Sequence, residues 1–111
     1  MTGCITVYVT APDAALAETL GRTLVEERLA ACANVVPGLV SIYRWEGALQ
    51  RDAEVALLLK TRAALFDPLA ARVAALHRYE LPCIVAWPIV QASEAYAAWI
   101  REQTREQTRP D

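Results

Sequence analysis

The chain has 111 residues, of which 55% are hydrophobic and 22% are charged, and its formal net charge is -2. This length and composition predict one globular domain with a single hydrophobic core and exclude a disordered chain. Its 11 basic residues are balanced by 13 acidic ones without forming a basic run, which argues against nucleic acid as a partner.

The amino terminus, the apolar runs and the cysteines bear on the compartment. Met1 to Cys4 contains no basic residue, so we expect no signal peptide. The longest apolar run, Cys83 to Val90, is far shorter than the roughly 18 residues that a membrane span needs. The three cysteines form no C-x-x-C pair, which predicts free thiols in a reducing compartment. We therefore expect a soluble, cytoplasmic protein that does not contact a membrane.

The first part of the chain predicts a strand, a helix and a bent strand. Cys4 to Thr10 alternates β-branched and aromatic residues in a short apolar run, which predicts a central strand. Leucines then recur at helical spacing, so we expect a helix from about Asp13 to Ala30. Cys32 to Trp45 is rich in Val, Ile, Tyr and Trp, and its Pro37-Gly38 pair indicates a bend or bulge in an extended segment.

The middle of the chain predicts a hairpin followed by a helix. A polar turn between Gly47 and Asp52 precedes a strand expected over about Ala53 to Thr61, which suits an antiparallel hairpin. Asp67 followed by Pro68 predicts a helix start with the aspartate as cap. Because Pro82 cannot easily continue that helix, His77 to Pro82 is expected to form an exposed connection.

The carboxyl-terminal part predicts one more strand and one more helix. Cys83 to Val90 is expected to be the last strand, and Ser93 is expected to open a helix. Tyr96, Trp99 and Ile100 would share one face of that helix. The domain core would cover about residues 5–105, and the residues at 106–111, within a near-repeat R-E-Q-T, are expected to fray.

The predicted order is strand, helix, strand, strand, helix, strand, followed by a terminal helix. This order is typical of the α+β, ferredoxin-like βαββαβ fold, a two-layer sandwich with helices on one face of the sheet. The predicted strand from Val55 to Leu59 is nevertheless apolar on both faces. Because the chain has no further helix to cover the second face, we expect another copy of the chain to cover it in a homo-oligomer.

Five segments of the chain resemble the signature blocks of the CutA divalent-cation-tolerance family. Their order and spacing match over nearly the whole chain, from about Ile5 to Arg105. The segments are V-T-A-P-D (9–13), L-V-E-E-R-L-A-A-C-A-N (24–34), P-G-L-V-S-I-Y-R-W-E-G (37–47), E-V-A-L-L-L-K-T (54–61) and H-R-Y-E-L-P (77–82). The resemblance implies a ferredoxin-like fold, a homotrimer similar in fold to the PII signalling proteins, and a role in tolerance of divalent metals, particularly copper.

The resemblance also implies candidate metal ligands. The family's copper-binding pattern has a cysteine just before the T-A-P-D block and a pair of histidines before P-Y. This chain has Val9 at the first place and Leu76 before its only histidine, so His77 is the one ligand of the pattern that is present. Cys83 is a second candidate, since thiolates bind copper(I) and imidazoles bind copper(II). Both residues also have a structural interpretation, as a helix-end histidine and a packed strand cysteine.

The resemblance further places polar and aromatic residues around a cleft between neighbouring subunits. An aromatic platform with one cation and one or two carboxylates can hold a small polar ligand. The alternative is that the aromatic residues pack in the subunit interface and the charged residues form ion pairs. The candidate cleft residues are Tyr43, Trp45, Glu54, Lys60, Tyr79 and Glu80.

Three functions remain open from the sequence. The first is a homotrimer for divalent-cation tolerance that binds copper or another divalent cation. The second is a PII-like signalling trimer that binds a small anion or metabolite in the cleft, and the third is a scaffold that presents surfaces to protein partners. An enzyme is not expected, because the chain contains no G-x-S-x-G elbow, Walker loop, H-E-x-x-H motif or recognisable triad.

Overall fold

The computed structural model describes residues 2–106 as one four-stranded antiparallel sheet with three α-helices. The strands are β1 (Cys4–Ala11), β2 (Cys32–Trp45), β3 (Ala48–Arg62) and β4 (Ile84–Pro88), and the helices are α1 (Ala14–Glu26), α2 (Phe66–Leu76) and α3 (Glu94–Gln103). The strand order β2-β3-β1-β4 is that of the predicted ferredoxin-like fold, and β1 is central as expected. No helix in the described part of the chain is long and apolar enough to cross a membrane.

The two faces of the sheet are covered differently. Val7 and Val9 of β1, together with Leu57 and Leu59 of β3, point to the first face and are fully buried against leucines of α1 and α2. Because successive side chains of a strand alternate between faces, the intervening residues point to the second face. That face is only partly covered, since α3 packs on one end of it, where Ile100 contacts Cys4.

The middle of the second face is left apolar and accessible. Tyr8 of β1 pairs with Leu58 of β3 and with Val85 of β4, so these three residues form a row across the sheet. Val85 and Trp87 are each 47% exposed, and the Trp87 ring lies 5.9 Å from that of Tyr8. The prediction of strands that are apolar on both faces is confirmed. We call Tyr8, Leu58, Val85 and Trp87 the open strip.

Beyond the end of β1, β2 and β3 continue as a two-stranded arm, which consists of residues 39–45 and 48–54. Val55 is the last residue of β3 on this side that pairs with β1, so the arm has no third strand. Val40, Ile42 and Leu49 lie on one side of the arm and are 52%, 66% and 72% exposed. A two-stranded ribbon is marginally stable in water by itself, so the arm is the least supported part of the sheet.

The hairpin turn and the start of β3 differ from the prediction. The turn is the pair Glu46-Gly47, with φ of 50° and 80°, as in the type I′ turn that suits a two-residue hairpin. The strand therefore begins at Ala48, five residues before the predicted Ala53. The polar residues between 50 and 52 look like a turn in the sequence, but they belong to the exposed arm. The predicted bend at Pro37-Gly38 is confirmed as a register shift between Val36 and Leu39.

The helix bounds also differ from the predictions. α1 ends at Glu26 and not near Ala30, because Arg28 adopts a φ of 60° and reverses the chain as a glycine would. Asp67 lies inside the first turn of α2 and does not cap it, since a short 3₁₀ turn (Ala63–Leu65) leads directly into the helix. Asp13 and Ser93 do cap α1 and α3, because their side chains accept hydrogen bonds from the backbone amides of Leu16 and Tyr96, respectively.

The carboxyl-terminal predictions are confirmed in part. β4 is shorter than the predicted strand from Cys83 to Val90, because Pro88 has no amide hydrogen with which to continue the ladder. On α3, Ile100 is buried, while Tyr96 and Trp99 are 40% and 37% exposed beside each other. The predicted frayed tail at 106–111 lies outside the described residues, apart from Glu106.

Gly21 tests how closely α1 packs on the sheet. A Cβ atom at this position would lie 2.9 Å from the Ala33 Cβ and 3.3 Å from the Leu57 Cδ1. We expect Gly21→Ala to lower the free energy of unfolding by about 1 to 3 kcal/mol in chemical denaturation, because of overpacking. A glycine in an unobstructed helix has the opposite response, since alanine is the better helix former by about 1 kcal/mol.

The control is the double variant with Ala33→Gly, which removes the obstructing methyl group and should recover part of the lost stability. A Gly21→Ala variant that is more stable than the unaltered protein would contradict this packing.

Candidate functional site

A cleft of about 710 Å³ lies on the second face, at the end of the sheet opposite α3. Its floor comes from β1 and β3, one wall from the arm, and the other wall from the connection between α2 and β4. The lining residues are Tyr8, Thr10, Ser41, Tyr43, Arg44, Trp45, Glu54, Arg78, Tyr79, Glu80, Leu81 and Cys83. We refer to this space as the cleft.

Glu54 is the buried charge of the cleft. Its position in β3 directs the side chain to the second face, where it is only 9% exposed. The Tyr79 hydroxyl donates a hydrogen bond to Glu54 Oε2 at 2.6 Å. The two ion pairs formed among residues 2–106 are Arg72 with Glu27 and Arg78 with Asp13, so no cation of the described chain neutralises Glu54. A buried carboxylate in this state is costly unless a donor or a cation compensates it.

The groups around Glu54 are held in their protonated forms. Burial, followed by the hydrogen bond to Glu54, raises the pKa of Tyr79 far above its ordinary value. Burial also raises the pKa of Tyr8, with smaller contributions from Cys83 and Glu54. Burial raises the pKa of the Cys83 thiol, and the Glu54 charge adds to the effect. The negative potential of one carboxylate thus contributes to the raised pKa of each of these side chains, which remain neutral hydrogen-bond donors.

The arm supplies aromatic residues and one guanidinium. The Tyr43 hydroxyl donates a hydrogen bond to Asp52 across the hairpin, and this bond is the main reason why the pKa of Tyr43 is raised. Trp45 is 38% exposed at the cleft. The Arg44 guanidinium turns back toward the hairpin, with Nη1 at 3.4 Å from the Gly47 carbonyl. The arm wall is therefore mainly aromatic, with a cation at its outer end.

The connection after α2 is anchored by His77. Its Nε2 lies 2.8 Å from the Thr10 carbonyl oxygen, and its Nδ1 accepts a hydrogen bond from the Tyr79 amide at 3.1 Å. A carbonyl oxygen only accepts and a backbone amide only donates, so these partners assign the neutral tautomer with hydrogen on Nε2. The connection is thus less exposed than predicted, since His77 and Tyr79 are half-buried. Their contacts bring Tyr79 over Glu54.

The structure brings five of the six predicted cleft residues together. Tyr43, Trp45, Glu54, Tyr79 and Glu80 all line the cleft. Lys60 does not, because it lies six residues from Glu54 along β3, where its Nζ donates to the Asn34 side chain at 3.1 Å. Cys83, predicted as a metal ligand, also lines the cleft.

Sequence analysis missed several lining residues. Tyr8 and Thr10 could have been found from strand alternation, since they point away from the buried Val7 and Val9. Arg78 had no such signal. Its guanidinium bonds Asp13 at 2.7 Å, a contact between residues that are far apart in the sequence. The hydrogen bond that the Leu16 amide donates to Asp13, followed by the contacts with Arg78, lowers the pKa of Asp13.

The described residues do not form a closed metal site within one chain. No group of three or more His, Cys, Asp or Glu side chains among residues 2–106 is placed to hold a metal ion. Both ring nitrogens of His77 already have hydrogen-bond partners. Copper and zinc sites need several such ligands around one ion. The residues of a single copy therefore do not fit a resident metal ion.

Comparison with known proteins assigns the chain to a family. The model of the CutA1 divalent ion tolerance protein family matches residues 5–103. The chain belongs to the CutA1 divalent ion tolerance family. This confirms the family resemblance noted in the sequence.

Individual CutA proteins are similar over most of the chain. The divalent-cation tolerance protein CutA of Thermus thermophilus is 51% identical over 98 residues, which cover 88% of this chain and 95% of that protein. The chloroplastic CutA protein of Arabidopsis thaliana is 45% identical over 91% of this chain. The chain spans only 56% of the length of this plant relative.

Solved CutA1 structures share the fold. The Oryza sativa CutA1 structure superposes with a TM-score of 0.91 at 42% identity and covers 96% of this chain and 99% of its own. The Thermus thermophilus structure has a TM-score of 0.90 at 49% identity and covers 92% of this chain and 99% of its own. The ferredoxin-like CutA1 fold is therefore established for this chain.

The raised pKa values predict an alkaline titration. The pKa of each of the four tyrosines is raised above its ordinary value of 10.0. Tyrosinate absorbance should therefore appear at higher pH in the folded protein than in the unfolded chain. Since the folded state holds these protons more tightly, the stabilisation is complete below pH 10 and is lost as pH rises further. The free energy of unfolding, measured by chemical denaturation at a series of pH values, should therefore decrease as the pH rises above 10.

Glu54→Gln should lower the pKa of Tyr79, because the neutral amide no longer attracts the hydroxyl proton as strongly. Glu26→Gln, on the exposed side of α1, is the matched control and should leave the tyrosine absorbance titration unchanged. A tyrosine titration that does not respond to Glu54→Gln would contradict the Tyr79–Glu54 contact.

Proposed function

We propose that this chain acts in divalent-cation tolerance as a homotrimer that binds copper or another divalent cation. Membership in the CutA1 family supports the connection with divalent ions. The observation that supports an assembly is the open strip, which leaves apolar residues of all three neighbouring strands accessible in a single copy. The family is named for tolerance and not for a reaction, and we propose a binding role without a catalytic centre.

The shape of the chain favours self-association. The arm has exposed apolar residues and no third strand, while β2 and β4 are sheet edges whose backbone groups can pair with another strand. A second copy that packs on the open strip would bury Val85 and Trp87 and would support the arm. In three copies related by a threefold axis, every copy makes the same contacts with its two neighbours. No open strip and no arm is then left without a partner, as in other closed cyclic assemblies.

The proposed metal contact requires ligands from more than one copy. His77 and Cys83 are the candidates, but His77 must first release either the Thr10 carbonyl or the Tyr79 amide. Cys83 enters as a thiol whose pKa is raised by burial, so metal binding there must displace a proton. These two costs predict modest affinity that increases with pH.

The proposed compartment is the cytoplasm. The free cysteines Cys4, Cys32 and Cys83 support a reducing environment. Cys4 is buried against α3, and the Cys32 Sγ lies 3.6 Å from the Tyr96 hydroxyl, so both are part of the packing of α3.

Assembly is tested by placing a charge on the open strip. Leu58→Asp should yield monomers in sedimentation velocity and should lower the free energy of unfolding by several kcal/mol, because a carboxylate cannot be buried there without a partner. Ala71→Asp introduces the same charge on an exposed position of α2 and should remain trimeric. A Leu58→Asp variant that remains a fully stable trimer would refute the assembly through this face.

Copper binding is tested by competition with a chelator of known affinity. His77→Ala should weaken binding at least about tenfold, which corresponds to about 1.4 kcal/mol. Cys32→Ser, which removes a thiol outside the cleft, should bind as the unaltered protein does, and circular dichroism should show that both variants are folded. Unchanged affinity in His77→Ala would remove this residue from the ligand set.

A further inference from the structure

The buried carboxylate of the cleft is only half compensated. Tyr79 satisfies Glu54 Oε2 with a neutral hydroxyl, and no cation of the described residues reaches Glu54. The side chain is more than nine-tenths buried, yet it lines the cleft, so its remaining acceptor sites open toward that space. A carboxylate placed in this way attracts a positively charged hydrogen-bond donor more strongly than an exposed one does.

The walls beside Glu54 suit a cation that has an organic body. Tyr43 and Trp45 of the arm border the same space, and the faces of aromatic rings attract cations through their quadrupoles. The neutral thiol of Cys83 adds an apolar contact. We propose that the cleft binds a small organic ammonium compound, whose charged nitrogen pairs with Glu54 while its carbon chain lies against the aromatic rings of the arm.

The charges of the cleft disfavour the other small ligands. An anion would have to approach Glu54 and Glu80, while the Arg78 guanidinium is already neutralised by Asp13 at 2.7 Å. Arg44 is directed to the Gly47 carbonyl at the outer end of the arm. Within one copy, a bare metal ion lacks a group of three ligands among residues 2–106, and the metal contact proposed above needs ligands from further copies. An ammonium group needs only one carboxylate and hydrogen-bond acceptors, which the cleft provides.

The inference does not depend on copper binding, and the experiment separates the two. The full chain is titrated with n-butylammonium chloride by calorimetry in buffer that contains EDTA, so that no free metal ion contributes. The expected dissociation constant is about 1 mM, since the probe is small. Neutral n-butanol, which has a similar shape, should bind at least about tenfold more weakly.

Three variants identify the site. Glu54→Gln should weaken n-butylammonium binding at least about tenfold, while Glu26→Gln on α1 should leave it unchanged. Tyr79→Phe should retain or strengthen binding, because it frees Glu54 Oε2 without removing the charge. A merely structural role of Glu54 does not predict this opposite response of its hydrogen-bond partner.

Chemical-shift mapping on the unaltered protein covers the case in which Glu54→Gln does not fold. Shifts induced by n-butylammonium should be confined to the arm, to Glu54, to Tyr8 and Thr10 of the floor, and to residues 78–83. The inference is overturned if n-butanol binds as well as n-butylammonium, if Glu54→Gln binds like the unaltered protein, or if the shifts lie elsewhere.

Discussion

The sheet of this protein is fully covered on one face only, and most other features follow from that constraint. α1 and α2 bury the valines and leucines of the first face, where Val7, Val9, Leu57 and Leu59 have no exposed surface. On the second face, α3 covers one end and the connection after α2 covers the other. The open strip between them stays apolar, and hydrophobic burial there is the main free energy available for assembly.

The second face carries both the open strip and the cleft. At its α3 end it is closed by Cys4 and Ile100, which pack as in an ordinary core. At the other end, His77 fixes the connection to β1 and thereby positions Tyr79 over Glu54. The cleft is therefore built by long-range contacts between the arm, β1 and the connection. An assembly that supports the arm would also hold the aromatic wall of the cleft in place.

The order of elements, the central position of β1 and the two-sided strands could all be predicted from apolar periodicity. The end of α1 could not, because the reversal uses Arg28 at a φ of 60° and no glycine marks it. The start of β3 was misplaced because an exposed arm carries polar residues that resemble a turn. A local pattern indicates whether a side chain points to the core or to the solvent. It does not indicate which distant segment of the chain packs against that side chain.

The same limit explains the candidate site. The resemblance to the family predicted the cleft residues, and five of them lie together because the arm and the connection after α2 meet at one end of the sheet. Within one copy Lys60 is separated from Glu54 by six residues of β3, or about 20 Å, and its place in a cleft between subunits stays a prediction. The engagement of both ring nitrogens of His77 depends on Thr10, far away in the sequence, and could not be read from its neighbours.

The central claim is that copies of this chain cover the open strip. Native mass spectrometry of the purified, unaltered protein tests it most directly, because the spectrum gives the number of chains in each complex. The account predicts a single dominant species with the mass of three chains, which persists on dilution to micromolar concentration. A monomer as the main species under these conditions would contradict it, since the apolar strip and the arm would then remain exposed to water.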